Sequence, residues 1–353
     1  MTTADQNTAP VDVAVVGAGR MGRHHARTYR GMSEANLVAV VDADLARAEA
    51  LADEYDCDAC ASTSELLEKH PTVRAVTVAV PTVHHAAAAE PLLNAGVACL
   101  VEKPLAATPE AAQRLAEFAR AHHAVLQVGH TERFNPAVRA VAALGVTPRY
   151  VEVDRVSPMT FRSLDVGVVM DLMIHDLDIV LMLVRSPLER VEATGVAVLG
   201  EHEDVANARL TFASGCVATI TASRIALKTE RKMRLFSEQA YVSLDYQQRT
   251  GVVMRKSQND EALSRIREQI RSGADLSDID YAKVVHVDEL AMDLPPGQQD
   301  PLTAQLTSFL DAARTGAQPV VDGAAGSAAV EAAQRVVDAI AAHRWEGLSA
   351  PRV

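Results

Sequence analysis

The sequence predicts an α/β protein in two parts: an N-terminal doubly wound parallel sheet, then an α+β domain on an open, mostly antiparallel sheet. Three observations carry this. Continuous apolar runs alternate with helical patterns through the first third of the chain. The first run enters a glycine-spaced turn and a helix follows. Beyond Pro148 the apolar residues instead alternate with polar ones, and short turns such as Ala213-Ser214-Gly215 separate the runs.

In the first part, strands are expected at Val11–Val16, Leu37–Val41, Ala75–Val80, Val97–Val101 and Ala124–Val128, with helices at Met21–Arg30, Leu45–Tyr55, His84–Ala95 and Pro109–His122. Strands this apolar are covered on both faces, as in a parallel sheet flanked by helices. In the second part, strands are expected at Arg149–Val156, Glu192–Val198, Ala206–Phe212, Val217–Ala222, Arg231–Phe236 and Tyr241–Tyr246, interrupted by one long helix, Val166–Leu183. Ser257–Ala282 reads as a polar excursion with a helix at Glu261–Arg271, a surface feature or an oligomer arm. Helices at Leu302–Arg314 and Ala325–His343 follow. The domains are therefore residues 1–10 as a polar tail, 11–130, and 131–353, with the C-terminal helices packing back on the first domain. An open antiparallel sheet needs a cover on its second face, and a homodimer or homotetramer through that sheet supplies one.

Composition excludes several roles. The chain has 353 residues, enough for about two domains. Its net charge of −12 argues against general nucleic-acid binding. No apolar run is long enough to span a bilayer, and the polar N-terminus lacks the apolar core of a secretory signal, so a cytoplasmic protein with no membrane partner is expected. Cys57 and Cys60 form a CxxC, but no second ligand pair follows closely. They and Cys99 and Cys216 read as free thiols, and no metal is expected.

The glycine turn is Gly17-Ala-Gly19-Arg20-Met21-Gly22. Gly17 permits the tight turn, Gly19 lets backbone approach a pyrophosphate, and Gly22 lets helix and strand pack closely, the fingerprint of a Rossmann dinucleotide site. Asp42 ends the next strand, twenty positions past Gly22. A carboxylate there accepts from both ribose hydroxyls and repels a 2′-phosphate, so NAD is favoured over NADP. Arg47 lies close enough in sequence to temper that preference.

Two further motifs carry chemistry. Glu102-Lys103-Pro104 follows a buried strand at its carboxyl end, the edge where ligands bind in open α/β sheets. A lysine there is placed to touch a substrate hydroxyl, or is a surface loop lysine. In Asp171-x-x-x-His175-x-x-Asp178, the three polar residues fall within about 60° of one another on a helix, while Asp176 points elsewhere. Two carboxylates and an imidazole on an otherwise apolar helix are either a satisfied polar cluster or a proton-transfer site. Arg155 and Arg162, in an expected linker at 155–165, could offer guanidinium groups to a diphosphate or be solvated loop charges. His24 and His25, just after the glycine turn, read as ordinary helix residues or as side chains that approach a cofactor, and His84 as facing away.

Together these motifs resemble those of the Gfo/Idh/MocA oxidoreductase family, through nearly the whole chain. The matching residues are the 17–22 turn, Asp42, Pro81-Thr82 with His85, Glu102-Lys103-Pro104, and Asp171, His175 and Asp178. The resemblance implies that Lys103, Asp171 and His175 surround a reacting carbinol and that Gly17, Gly19, Arg20, Met21, Gly22, Asp42, Pro81, Thr82, His85, Glu102 and Lys103 serve the cofactor. Met173 stands where the family often has glycine, a change to the helix surface. Within the family, the runs Gly129–Pro136 and Met170–Asp178 are similar to those of bacterial UDP-N-acetylglucosamine 3-dehydrogenases, which precede an aminotransferase in making diamino-sugar precursors of lipid A. That similarity implies substrate contacts at His130, Arg133, Arg155, Arg162 and Asp178. The alternatives are a dehydrogenase or reductase of a free sugar or polyol such as inositol, and a non-catalytic NAD(H)-binding regulator.

Overall fold

The structure is a computed structural model that describes residues 9–160, 166–273, 277, 280, 284–292 and 300–345. The expected tail is described only at Ala9 and Pro10; Arg162 and parts of the 257–282 excursion lie outside these residues. The chain divides into two compact units, residues 1–135 with 294–334, and residues 136–293 with 335–353.

The first unit is built from β1 (Val11–Val16), α1 (Arg20–Arg30), β2 (Ala35–Val41), α2 (Leu45–Tyr55), β3 (Asp58–Cys60), α3 (Thr63–Lys69), β4 (Ala75–Val78), α4 (His85–Asn94), β5 (Ala98–Glu102), α5 (Pro109–Ala121) and β6 (Leu126–Gly129). Its sheet is entirely parallel, in the order β3-β2-β1-β4-β5-β6. The strand order reverses direction beside β1, which places the crevice for a ligand at the carboxyl ends of β1 and β4. Every residue of β4 and β5 is buried, so these strands are apolar throughout rather than alternating. The helix Pro301–Thr315 adds Leu306, Phe309 and Leu310 to the core around Val13, Val15, Leu51 and Leu100.

The second unit contains α6 (Pro136–Ala143), β7 (Tyr150–Val156), a π-helical turn at Val169–Met173 running into α7 (Ile174–Val184), then β8 (Leu188–Val196), β9 (Val205–Phe212), β10 (Val217–Ser223), β11 (Glu230–Phe236), β12 (Ala240–Asp245), β13 (Thr250–Arg255), α8 (Lys256–Arg271) and β14 (Asp288–Glu289). The sheet order is β14-β13-β12-β11-β7-β10-β9-β8. Only β7 and β10 pair in parallel; the remaining pairs are antiparallel. Along β9 the small and apolar Ala206, Ala208, Leu210 and Phe212 are buried while Asn207 and Arg209 are exposed, the signature of a sheet packed on one face.

The differences from the sequence reading are local. The strand expected at Glu192–Val198 runs earlier, Leu188–Val196. β3, α3, α6, β13 and β14 were not foreseen; they are short or polar, so they carry little periodicity. The helix expected from Val166 starts three residues later and opens with π geometry. Arg155 lies within β7 rather than in a linker. Among the described residues, no helix is long and apolar enough to cross a membrane.

Candidate active site

The glycine turn joins β1 to α1 by close backbone contact. Gly17 has φ of +104°, and a side chain there would drive its Cβ to 2.6 Å from the Ala79 carbonyl oxygen. At Gly22 a Cβ would fall 1.7 Å from the Gly17 carbonyl oxygen, so strand and helix can meet only over glycine. Gly19 differs: the nearest atom to a Cβ there is Arg47 Nη2 at 3.8 Å. Packing makes no demand for glycine at this position, which leaves room for backbone to meet a ligand. Gly19 also caps α1 without any side-chain hydrogen bond, and the first turn carries no acidic residue. No capping side chain blocks the first amides of α1 and no acidic residue of that turn repels an incoming anion, the arrangement that accepts one.

Asp42 stands just beyond β2. Its Oδ2 accepts the Ala18 amide at 2.7 Å and its Oδ1 accepts the Asp44 amide at 3.0 Å. These bonds fix the carboxylate beside the turn while each oxygen keeps lone-pair capacity for a hydroxyl donor.

At the far end of β5, Glu102 is buried and its Oε1 accepts from Nε2 of the fully buried His25 at 2.7 Å. Its Oε2 accepts the Lys103 amide at 3.3 Å. Burial pushes the Glu102 carboxyl pKa up, but the His25 bond and the charges of His25 and Lys103 outweigh it, and the net direction is downward. The carboxylate also leans on Gly129 of β6, where a Cβ would sit 3.0 Å from Oε2. Lys103 itself is half-buried at the strand's carboxyl end, ahead of a cis peptide to Pro104.

His85, assigned by resemblance to the cofactor, is almost fully buried. Nδ1 faces the carbonyls of Pro104 and Leu105 at 3.1 and 3.3 Å, and Nε2 faces that of Val80 at 3.0 Å. Burial moves its pKa down against the raising effect of these carbonyls. The ring therefore ties the loop after Lys103 to the loop before Pro81, as a brace between them. Pro81 and His84 are exposed and Thr82 is half-buried. Arg20 and Met21 are exposed on the first turn of α1.

In the second unit, Asp171 sits within the π-turn and His175 in the first turn of α7; both are half-buried. The extra residue per turn in π geometry alters the angle that a regular helix would set between them, and such turns recur at functional positions. The start of this segment is held by two carboxylates. Glu203 Oε1 accepts the Val169 amide at 3.2 Å, and its carboxylate fills the space beside Gly167, where a Cβ would lie 2.0 Å from Oε1. Asp204, fully buried, accepts Arg224 Nε at 2.7 Å and the amides of Val198, Leu199 and Gly200 at 2.8, 2.7 and 3.2 Å. Arg224 Nη1 in turn donates to the Val166 carbonyl at 2.6 Å. Burial alone pushes the Asp204 pKa up; the three amides and the guanidinium more than offset it, and the carboxyl lies far below the usual range.

Three substrate assignments change. Arg155 is buried in a bidentate pair with Asp176, Nε to Oδ2 at 2.6 Å and Nη2 to Oδ1 at 2.9 Å, so its guanidinium is not presented to a diphosphate. Asp178 is 1% exposed and His130 fully buried, so neither presents accessible surface to a ligand in this structure. Arg133 remains half-buried on the turn Thr131–Phe134. Sequence reading missed His25, Glu203, Asp204 and Arg224. For His25 a signal existed: with Gly22, Ala26 and Tyr29 it falls on the buried face of α1. The thiol reading of the CxxC stands on chemistry: Cys57 and Cys60 are free, and burial pushes the Cys57 thiol up to about 11.

Comparison with known proteins matches the described architecture. The model for the GFO/IDH/MocA oxidoreductase family with NAD-binding Rossmann fold covers residues 11–130, and that for the GFO/IDH/MocA C-terminal domain covers residues 139–243. UDP-N-acetylglucosamine 3-dehydrogenase of Acidithiobacillus ferrooxidans is 35% identical over 330 residues, 93% of this chain and 96% of that protein. This chain belongs to the Gfo/Idh/MocA oxidoreductase family. The solved structure of the same Acidithiobacillus enzyme superposes with a TM-score of 0.80 at 33% identity, covering 94% of this chain and 98% of that one. Inositol 2-dehydrogenase of Rhizobium meliloti is 32% identical over 230 residues, 61% of this chain and 69% of that protein. At 17% identity, levoglucosan dehydrogenase in complex with NADH and levoglucosan shares the fold, with a TM-score of 0.78 and coverage of 94% and 97%.

As a member of this family the chain is an NAD-dependent dehydrogenase acting on a CH–OH group. The first unit fits the dinucleotide on its own observations: an open Gly19, α1 amides free of a side-chain cap, and a carboxylate fixed beside the turn.

Proposed function

We propose that this chain oxidises a nucleotide sugar, UDP-N-acetylglucosamine, at C3. The observation that carries the reading is the similarity to the Acidithiobacillus enzyme, which extends over 93% of this chain, whereas the similarity to the Rhizobium inositol enzyme extends over 61%. Bound NAD supplies the hydride acceptor. Gly17, Gly19 and Gly22, with Arg20 and Met21, hold the pyrophosphate on the α1 amides, and Asp42 takes the ribose hydroxyls. The Lys103 ammonium donates to the carbinol oxygen and stabilises its developing charge. His175 takes the hydroxyl proton on its imidazole, and Asp171 orients that ring. His85 and Glu102 act from beneath, by fixing the loops on either side of Lys103.

A cytoplasmic homo-oligomer joined through the C-terminal sheet belongs to the same proposal. Tyr150, Phe236 and Tyr241 occupy paired positions on neighbouring strands, all half-buried, with ring centroids 5.7 and 5.0 Å apart. A row of aromatic rings on the less covered face of a sheet suits a second copy of the chain.

The test is NADH formation at 340 nm with UDP-N-acetylglucosamine, UDP-glucose, free N-acetylglucosamine and myo-inositol, with a carbonyl trap present. Turnover on UDP-N-acetylglucosamine alone, with a 3-keto product, is expected. Turnover on inositol or the free sugar instead would overturn the substrate while leaving the family chemistry in place. Lys103→Ala and His175→Ala should each lower kcat by about 10²- to 10⁴-fold; near wild-type rates would remove these residues from the mechanism.

A further inference from the structure

We propose that His25 is a positioning residue of the active site, acting through Glu102 on the backbone of Lys103. The inference rests on the reading of Lys103 as the residue that holds the carbinol oxygen.

His25 and Glu102 come from opposite ends of the first domain's sequence, 77 residues apart, and meet in its interior at 2.7 Å. Glu102 accepts only, so Nε2 of the ring is the donor. The ring is fully buried, and among the described residues Nδ1 has no hydrogen-bond partner. The carboxylate therefore supplies the one polar contact that fixes the ring, and burying an imidazole on an otherwise apolar helix face has a cost that this single bond must offset.

The second oxygen of Glu102 receives the Lys103 amide, and Gly129 on the next strand leaves space for hydrogen alone beside it. The carboxylate is thus held on three sides: by His25, by the Lys103 amide and by bare backbone. His25 also lies on the helix whose first turn begins at Arg20, immediately after the glycine turn. One bond therefore couples the helix that receives the pyrophosphate to the strand end that carries Lys103. Without the His25 donor, no hydrogen bond among the described residues holds Glu102 Oε1, and the carboxylate is free to rotate away from the Lys103 amide.

The chain has six lysines, so selective ¹⁵N-lysine labelling gives six backbone amide signals in a transverse-relaxation-optimised spectrum. Lys103→Arg identifies the Lys103 signal by its loss. In His25→Leu the Lys103 amide proton should move upfield as its hydrogen bond weakens, while the other five signals stay in place. In His25→Gln, whose amide nitrogen sits near the former Nε2, the signal should return towards its original position. His25→Asn gives the same reading as leucine if leucine is not tolerated, because its amide stops short of Glu102. In turnover, His25→Leu should lower kcat about 10- to 100-fold with the KM for NAD little changed, and His25→Gln should recover most of it. A folded His25→Leu or His25→Asn with an unmoved Lys103 amide would overturn the proposal. Wild-type turnover in Lys103→Ala would instead overturn the assignment of Lys103, and the amide spectrum would still decide the role of His25.

Discussion

Arg155 on the central strand β7 and Asp176 on α7 form a buried, two-pronged ion pair, with contacts of 2.6 and 2.9 Å. The strand and the helix that carries His175 are thereby locked together one residue from the imidazole. A planar guanidinium is suited to this role, since it matches both carboxylate oxygens at once.

Removing one partner leaves the other buried and charged. Arg155→Met should cost about 3–5 kcal/mol in stability, read from urea unfolding, whereas the double variant Arg155→Met, Asp176→Leu should recover most of the loss. A single variant that unfolds at the wild-type midpoint would mean that the pair holds nothing together.

The three glycines of the turn should respond differently to the same methyl group. Gly22→Ala places Cβ 1.7 Å from a backbone oxygen and should lower Tm sharply or prevent folding. Gly19→Ala meets nothing nearer than 3.8 Å, at a φ of −73° that alanine adopts without strain. It should fold normally yet bind NADH about tenfold or more weakly by fluorescence titration.

Asp42→Ala should reduce discrimination between the two nicotinamide cofactors. With the carboxylate gone, the NAD to NADP ratio of kcat/KM should fall about tenfold or more, roughly 1.4 kcal/mol of lost selection. Arg47, whose guanidinium lies beside Gly19, could then reach a 2′-phosphate. An unchanged ratio would place the selection elsewhere.

Asp204 makes stability depend on acid. Its pKa in the fold lies below the ordinary value of 3.8, so the folded state favours the ionised form. That contribution is complete above the unfolded value, at about pH 5 and higher, and is lost as the pH falls through about 4 towards the depressed folded value. Wild-type urea midpoints should therefore drop between about pH 5 and 3, and those of Asp204→Asn should start lower at pH 7 and drop less over the same window. Parallel curves for the two proteins would show that Asp204 does not titrate in this way.

What was legible in the sequence was local. Gly17, Gly19, Gly22 and Asp42 declare themselves because one short stretch and one strand end contain the whole pattern, and the apolar strands around them leave few alternatives. Arg155 was misplaced because its meaning depends on a partner 21 residues away, which turns an apparent ligand-binding charge into an internal one. His25 was read as an ordinary helix residue for the same reason at longer range. Asp171 shares a helical face with His175 and Asp178 only if the helix is regular throughout, and the π-turn at Val169–Met173 breaks that assumption. β3 is three residues long, too short for any alternation to show.

The helix Pro301–Thr315 has a consequence for how the protein is made. Its Leu306, Phe309 and Leu310 complete a core whose other walls are Val13, Val15, Leu51 and Leu100. A ribosome synthesising this chain releases those walls early, then must deliver some two hundred further residues before the closing helix emerges. Until it does, the nascent dinucleotide-binding unit exposes the apolar seat of that helix, which is where a chaperone would bind or aggregation begin. The unit encoded first is completed only after most of the second has been translated, so the enzyme cannot acquire a complete cofactor domain before residues 136–293 have been made.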